Sequence, residues 1–258
     1  MIHLSSAQHH WIDFLFAMTE KEIKARYKFA FFGFLWIVLN PVLQMLIIGF
    51  IFRFFVESPV DNYFIFLLAG LLPWNFLSYT LSKATPAIVF ERGLIQKAKF
   101  PREAIILSIV LSNFFHSLIA FVIFICISVF FTKITFFSSL LLLSALAWIL
   151  LITASFSLFL SALHVKYRDV NFFVQAILPL WFYVTPVIYS INSLPNTWQV
   201  LLRLNPVTNI IELFQFSIAG ANSYCIPSIA LSLLFTIIFS IFSWFFFQRE
   251  SRFFDDWI

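Results

Sequence analysis

The sequence predicts an all-α integral membrane protein: six transmembrane helices, an N-terminal amphipathic interfacial helix, and short re-entrant outer helices between spans five and six. Three observations predict it. Of the 258 residues, 62% are hydrophobic and 11% are charged, against roughly 25% charged in a soluble domain; so few polar groups cannot keep a surface hydrated. The charges gather at the borders of long uncharged runs, and about 20 apolar residues suffice to cross a bilayer. Finally, Lys and Arg fall almost entirely on alternate loops.

The elements follow in order. Residues 1–28 lack an apolar signal-peptide core, so the chain is expected to enter the membrane through its own first span. Trp11, Phe14, Leu15 and Met18 recur at helical spacing, with Asp13, Glu20, Lys21 and Lys24 on other faces. This describes an amphipathic helix at the cytoplasmic interface, or one packed on the protein. The six spans are expected at 29–55, 62–83, 104–132, 134–165, 170–190 and 227–248. Between the last two, Trp198–Leu204 and Asn209–Ala219 are apolar helical pieces too short to cross, broken by Pro195, Asn205-Pro206 and Gly220. The 192–222 segment is expected to dip back into the bundle, where irregular backbone must be covered by protein or line a wet cavity.

Orientation follows from the basic residues. With the N-terminus inside, Lys21, Lys24, Arg26, Lys28, Lys83, Arg92, Lys97, Lys99, Arg102, Lys166, Arg168, Arg249 and Arg252 lie inside; Arg53, Lys133 and Arg203 lie outside. Six spans with both termini cytoplasmic are consistent with this division, and an odd number is not.

Several chemistries are absent. No Gly-Lys dipeptide occurs, so no GxxxxGK[ST] phosphate loop exists; GxG, HExxH and GxSxG are missing too. Cys126 and Cys225 stand in or beside apolar runs, as small buried hydrophobes would, and form no metal-binding pattern. The basic residues form no stripe suited to nucleic acid. No carboxylate pair lies within a span; the intramembrane candidates His116, His164 and Lys83 give little support to an ion-coupled pump, and Glu212 stands alone on its outer segment.

Two inner loops remain as docking candidates. The first holds Glu91, Arg92, Gly93, Leu94, Gln96 and Lys97, within a short helix expected over 87–97 and stopped by Pro101. The second holds Tyr167, Arg168 and Asp169. Each suits either a charge anchor or a surface for a soluble partner.

Several motifs resemble the ABC-2 type permease family, and within it the exporters of O-antigen, capsule and teichoic acid. They are Lys24-Ala25-Arg26-Tyr27-Lys28, Gly33, Leu35-Trp36, Asn40-Pro41, Gly70-Leu71-Leu72-Pro73-Trp74-Asn75-Phe76, Lys99-Phe100-Pro101-Arg102-Glu103, Tyr167-Arg168-Asp169-Val170, Pro186-Val187-Ile188-Tyr189 and Leu204-Asn205-Pro206. They run in order from about Phe14 to Phe247. The resemblance implies a homodimeric permease in the inner (cytoplasmic) membrane, with two copies of a separate ABC ATP-binding subunit below it. No cofactor is expected on this chain, because ATP and Mg²⁺ would be bound by that partner. The loop at Glu91–Lys99 looks like a coupling helix, the N-terminal helix like a lateral gate, and the two outer pieces like gate helices. No glycan-binding domain is expected on this chain. Lys28 stands where the family often carries arginine, which keeps the charge but loses bidentate phosphate contact.

The substrate so implied is a polyprenyl-linked polysaccharide, whose tail stays in membrane lipid. Its anionic head needs cations, and Arg26, Lys28, Lys97 and Arg102 are the candidates. Its polymer needs aromatic faces that stack on sugars without fixing one register: Trp36, Trp74, Tyr79, Trp181 and Tyr183, each equally suited to interfacial anchoring or packing. The alternatives are an ABC-2 exporter of a drug or small lipid, and an integral-membrane enzyme acting on a polyprenyl-linked substrate. The enzyme would have to use Asp169 or Asp255-Asp256.

Overall fold

A computed structural model describes residues 6–27, 35–55, 62–96, 100–132, 135–220 and 224–254. Among these there is no strand. The described residues hold eleven α-helices in chain order: α1 (Ser6–Tyr27), α2 (Leu35–Phe55), α3 (Tyr63–Ala84), α4 (Ala87–Phe90), α5 (Arg92–Ile95), α6 (Glu103–Ser128), α7 (Phe136–Lys166), α8 (Asp169–Val184), α9 (Asn196–Arg203), α10 (Pro206–Ala219) and α11 (Ile226–Glu250).

Five of them, α2, α3, α6, α7 and α11, are long and apolar enough to cross a membrane. The fifth expected span appears as the apolar but shorter α8, 16 residues long. It ends at Val184, before the expected 190, because Pro186 drives Thr185 into extended backbone (φ −84°, ψ 131°). The helix expected over 87–97 is also different. It breaks into α4 and α5 at Glu91, whose ψ of 21° leaves the helical basin.

The helix α3 is the axis of the bundle. It packs against α2, α6, α7, α8 and α10, and its Phe66, Leu67, Leu71, Phe76, Leu77 and Leu81 are buried. By contrast α2 and α11 are lightly covered, which suits helices facing lipid or a second subunit. Between α7 and α11, Phe156 and Phe159 pack on Phe239, Phe242 and Phe246, and polar bonds add to this contact: the Trp148 indole donates to Thr236 Oγ1 at 2.8 Å, and the Ser155 and Ser240 hydroxyls meet at 2.7 Å. Such bonds join helices where lipid supplies no hydrophobic drive between them.

The segment after α8 turns back into the bundle. Asn205 caps α10 by accepting from the Val207 N–H, Pro206 takes the first turn, and Gly220 ends the helix at φ 62°. Val207, Ile210, Ile211, Phe214 and Ile218 of α10 are buried against α3 and α7, and Phe214 stacks on Phe121 of α6 at 5.1 Å. Gly70 makes room for this. A Cβ there would lie 2.9 Å from Gln215 Nε2 and 3.1 Å from the Val187 carbonyl oxygen. The expected isolation of Glu212 is corrected: it is buried and takes hydrogen bonds from Arg203 at 3.2 and 3.3 Å. Cys126, expected to be buried, is exposed on α6, and Cys225 is half-buried.

At the opposite end α1 lies along α6. Leu15 and Met18 are buried, the Phe14 and Phe100 rings sit 4.8 Å apart, and the Trp11 indole donates to Glu103 at 3.3 Å. The amphipathic helix is therefore packed on the protein along one face, while Phe16 stays exposed on another.

Candidate functional site

Arg26 sits in the last turn of α1 and donates to the Asn113 side-chain oxygen of α6. Asn113 in turn donates to Thr80 of α3 at 3.2 Å. This chain of bonds holds the guanidinium at the wall of a cavity of about 580 Å³. Lys83, His116, Asn40, Trp36 and Tyr79 share that wall. Lys83 pairs with Glu22 of α1. The cavity thus has a cationic mouth at the end of the bundle that carries α1, α4 and α5. Farther in, its wall turns apolar at Leu72, Phe76 and Ala120.

The four expected head-group cations are not gathered together. Arg26 lines this cavity and Arg102 does not: Arg102 donates to the Ser251 carbonyl and lies 5.9 Å from the Phe254 ring, bound to the segment after α11. Lys28 and Lys97 lie outside the described residues. On the exposed side of α1, Lys24 is 2.5 Å from Glu20, and its hydrogen bond and charge hold the Glu20 carboxyl below the usual carboxylate range.

A second cavity of about 390 Å³ lies between α2, α3 and α8. It brings Trp74, Tyr79 and Tyr183 together with Gln44, Asn75 and Gln175. Asn75 donates to Gln44 at 2.9 Å, and Asn40 bonds the Tyr79 hydroxyl, so α2 is fastened to α3 by amides along this seam. Tyr79 touches both cavities. The five expected aromatics divide accordingly. Tyr79 and Tyr183 are exposed in this groove, and Trp36 is exposed at the cationic cavity. Trp74 is buried, edge-on to Trp181 at 5.9 Å. Trp181 is half-buried and also meets Phe156 at 5.7 Å. Packing therefore holds Trp74 and Trp181, and the tyrosines offer open faces.

Sequence reasoning missed Gln44, Asn75, Ser78 and Gln175 as lining residues. Their signal was present: isolated amides and a hydroxyl within apolar runs, expensive in lipid unless they line something polar.

The docking candidates lie at the same end as the cationic mouth: Ala87 and Ile88 of α4 share one buried cluster with Leu158, Ala162 and Val165 of α7, next to Lys166. Arg92, Gly93 and Gln96 are exposed, and Leu94 is half-buried. Tyr167, Arg168 and Asp169 are all exposed; Lys166 lies over the Tyr167 ring at 5.3 Å. Glu91 is half-buried and is tied to Lys21 of α1 at 2.9 Å, so it links the loop to the amphipathic helix. Phe90 was not singled out from the sequence. It is 80% exposed at the tip of α4, an apolar ring among charges that fits a protein partner.

The ABC-2 type transporter family profile matches residues 14–219. The chain is 28% identical to the O-antigen export system permease protein RfbA of Myxococcus xanthus, over 83% of this chain and 84% of that one. An RfbA of Klebsiella pneumoniae is 30% identical, over 77% of each chain. The polysialic acid transport protein KpsM of Escherichia coli is 25% identical, over 76% of this chain and 78% of that one.

Proposed function

The chain belongs to the ABC-2 type transporter family, and from that premise we propose that it is the membrane permease of an ATP-driven exporter of a lipid-linked polysaccharide. The relatives named for O-antigen export and polysialic acid transport support the substrate class. One observation in this chain carries the reading: a cationic cavity and an aromatic, amide-lined groove stand on either side of one α2–α3 seam.

That pairing suits a molecule of three parts. The pyrophosphate head takes the cations Arg26 and Lys83, which act most strongly near the low dielectric of the bilayer. The glycan takes the groove, where Tyr79 and Tyr183 offer faces and Gln44, Asn75 and Gln175 offer exchangeable hydrogen bonds. No site there grips one sugar, so a polymer can slide.

Six crossings complete the topology, with α8 as the fifth, extended by 185–190 to reach the membrane face. Both termini are cytoplasmic in the inner membrane, α9 and α10 form the outer gate, and α1 the lateral gate. On one copy the aromatic groove is open: α8 exposes Phe172, Phe173, Leu180 and Tyr183, and α2 exposes Leu43, Leu46 and Ile47. This exposed apolar face supports a homodimer in which a second copy closes the groove. The sequence has no phosphate loop, so hydrolysis of Mg²⁺-bound ATP falls to two copies of a partner subunit. These dock at Phe90, Arg92–Gln96 and Tyr167–Asp169.

Deletion of this chain in its native cell tests the reading. Surface polysaccharide should disappear while lipid-linked polysaccharide accumulates at the cytoplasmic face. Unchanged surface polysaccharide, or loss of the lipid-linked form as well, would contradict it.

A further inference from the structure

A third cavity, of about 330 Å³, lies between α2, α3 and α6. Its floor is apolar, with Val42, Met45, Leu68 and Phe124, and its lip is the exposed Ile127 and Phe131. It abuts the cationic cavity, because Pro41, Leu72 and Ala120 line both. The two make one track along α3, from Lys83 at the cationic mouth to Asn62 at the far end.

An apolar void open to a bilayer is filled by hydrocarbon, since empty space forfeits dispersion contacts and water finds no partner there. Length decides which hydrocarbon. From Lys83 to Asn62 is 83 − 62 = 21 residues, about 31 Å of helix, the whole thickness of a hydrocarbon core. An acyl chain hung from a head at Lys83 ends near the midplane, about 15 Å in, where Leu72 marks the junction of the two cavities. A chain that fills the far cavity from a head at the cationic mouth must be about twice as long.

We infer that the α2–α3–α6 track binds a long isoprenoid chain, with its pyrophosphate at Arg26 and Lys83 and its hydrocarbon running past Leu72 and Ala120 into the far cavity. The inference rests on the proposed substrate class and adds a seat for the tail. Lipid and groove are equally apolar, so the tail gains packing rather than transfer energy. The bound head supplies the local concentration. The substrate then straddles α2 and α3, its tail on the α6 side and its glycan on the α8 side.

The test uses the full chain in nanodiscs of phosphatidylethanolamine and phosphatidylglycerol. The probe is a polyprenyl pyrophosphate with a diazirine near the end of its chain. Photolabel should concentrate on Ile123, Ile127 and the half-buried Met45 over Leu234 and Ile238 of α11, which are at least as exposed. Unlabelled polyprenyl pyrophosphate should displace it, and excess phosphatidylglycerol should not. Ala120→Phe, which blocks the junction, should bring α6 labelling down to the α11 level. Even labelling of α6 and α11, or equal displacement by phosphatidylglycerol, would overturn the inference, and both are read on the unaltered chain should Ala120→Phe fold poorly. Even labelling in a chain whose deletion still abolishes surface polysaccharide overturns the track and leaves the function. Selective labelling in a chain whose deletion changes no surface polysaccharide overturns the function and leaves the track.

Discussion

Arg26 illustrates how a single residue acquires a role through its neighbours. A guanidinium at the end of α1 would ordinarily wave in water, but Asn113 holds it at the cavity wall. A hydrogen bond to a charged group contributes about 1.5–3 kcal/mol, so Arg26→Gln should weaken retention of polyprenyl pyrophosphate by about tenfold or more. Binding measured in nanodiscs checks this, with Arg26→Lys as the intermediate case because it keeps charge and loses the fork. The aromatics separate in the same way. Trp74→Ala removes a buried ring and should cost about 3–5 kcal/mol of stability, visible as a lower melting temperature and less protein in the membrane. Tyr79→Ala removes an exposed ring whose hydroxyl meets Asn40, and should slow export at unchanged protein level. Equal loss of protein in both variants would place Tyr79 among the packing residues. The aromatic identities were legible in the sequence, but their division was not. Trp74 is sealed by Trp181 and Phe182, more than a hundred residues later in the chain, which no local pattern reveals.

At the scale of elements, α1 joins the docking loop to the cationic cavity. Lys21 binds Glu91 between α4 and α5, while Glu22 and Arg26 reach Lys83 and Asn113. The proposed coupling therefore runs from that loop along α1 to Arg26 and Lys83. Lys21 and Glu91 are partly exposed, so their pair contributes no more than about 1 kcal/mol to stability. Lys21→Glu should leave the melting temperature nearly unchanged while uncoupling ATP hydrolysis from export, and Lys21→Glu with Glu91→Lys should restore coupling. Assaying both activities on the single and double variants checks it; failure of the double variant to recover would remove the link. The long apolar helices were plain in the sequence because charges bracket them: α2, α3, α6, α7 and α11, each long and apolar enough to cross a membrane, overlap uncharged runs. So were the breaks at Pro195, Asn205-Pro206 and Gly220, where side-chain chemistry dictates backbone. The division of 87–97 at Glu91 and the pairing of Arg203 with Glu212 were not. Each depends on tertiary partners that override local propensity.

For the whole molecule, the two sides of the α2–α3 seam differ. On the α8 side Gln44, Asn75, Tyr79 and Tyr183 line an open groove, and on the α6 side the wall is cationic at Arg26 and Lys83 and apolar beyond Leu72. A second copy placed against the α8 side turns an open groove into a corridor. With Cys126 and Cys225 replaced by Ser, a cysteine at Leu180 should crosslink two copies in the membrane, whereas one at the exposed Leu234 of α11 should not. Crosslinking equal at both positions, or at neither, would contradict a closed dimer. The most direct measurement of the central claim is transport itself. This chain and its ATP-binding partner, reconstituted in proteoliposomes, should carry a fluorescent polyprenyl-linked polysaccharide to the opposite leaflet only when ATP is hydrolysed. Movement independent of ATP, or none with an active ATPase and intact substrate, would contradict the account.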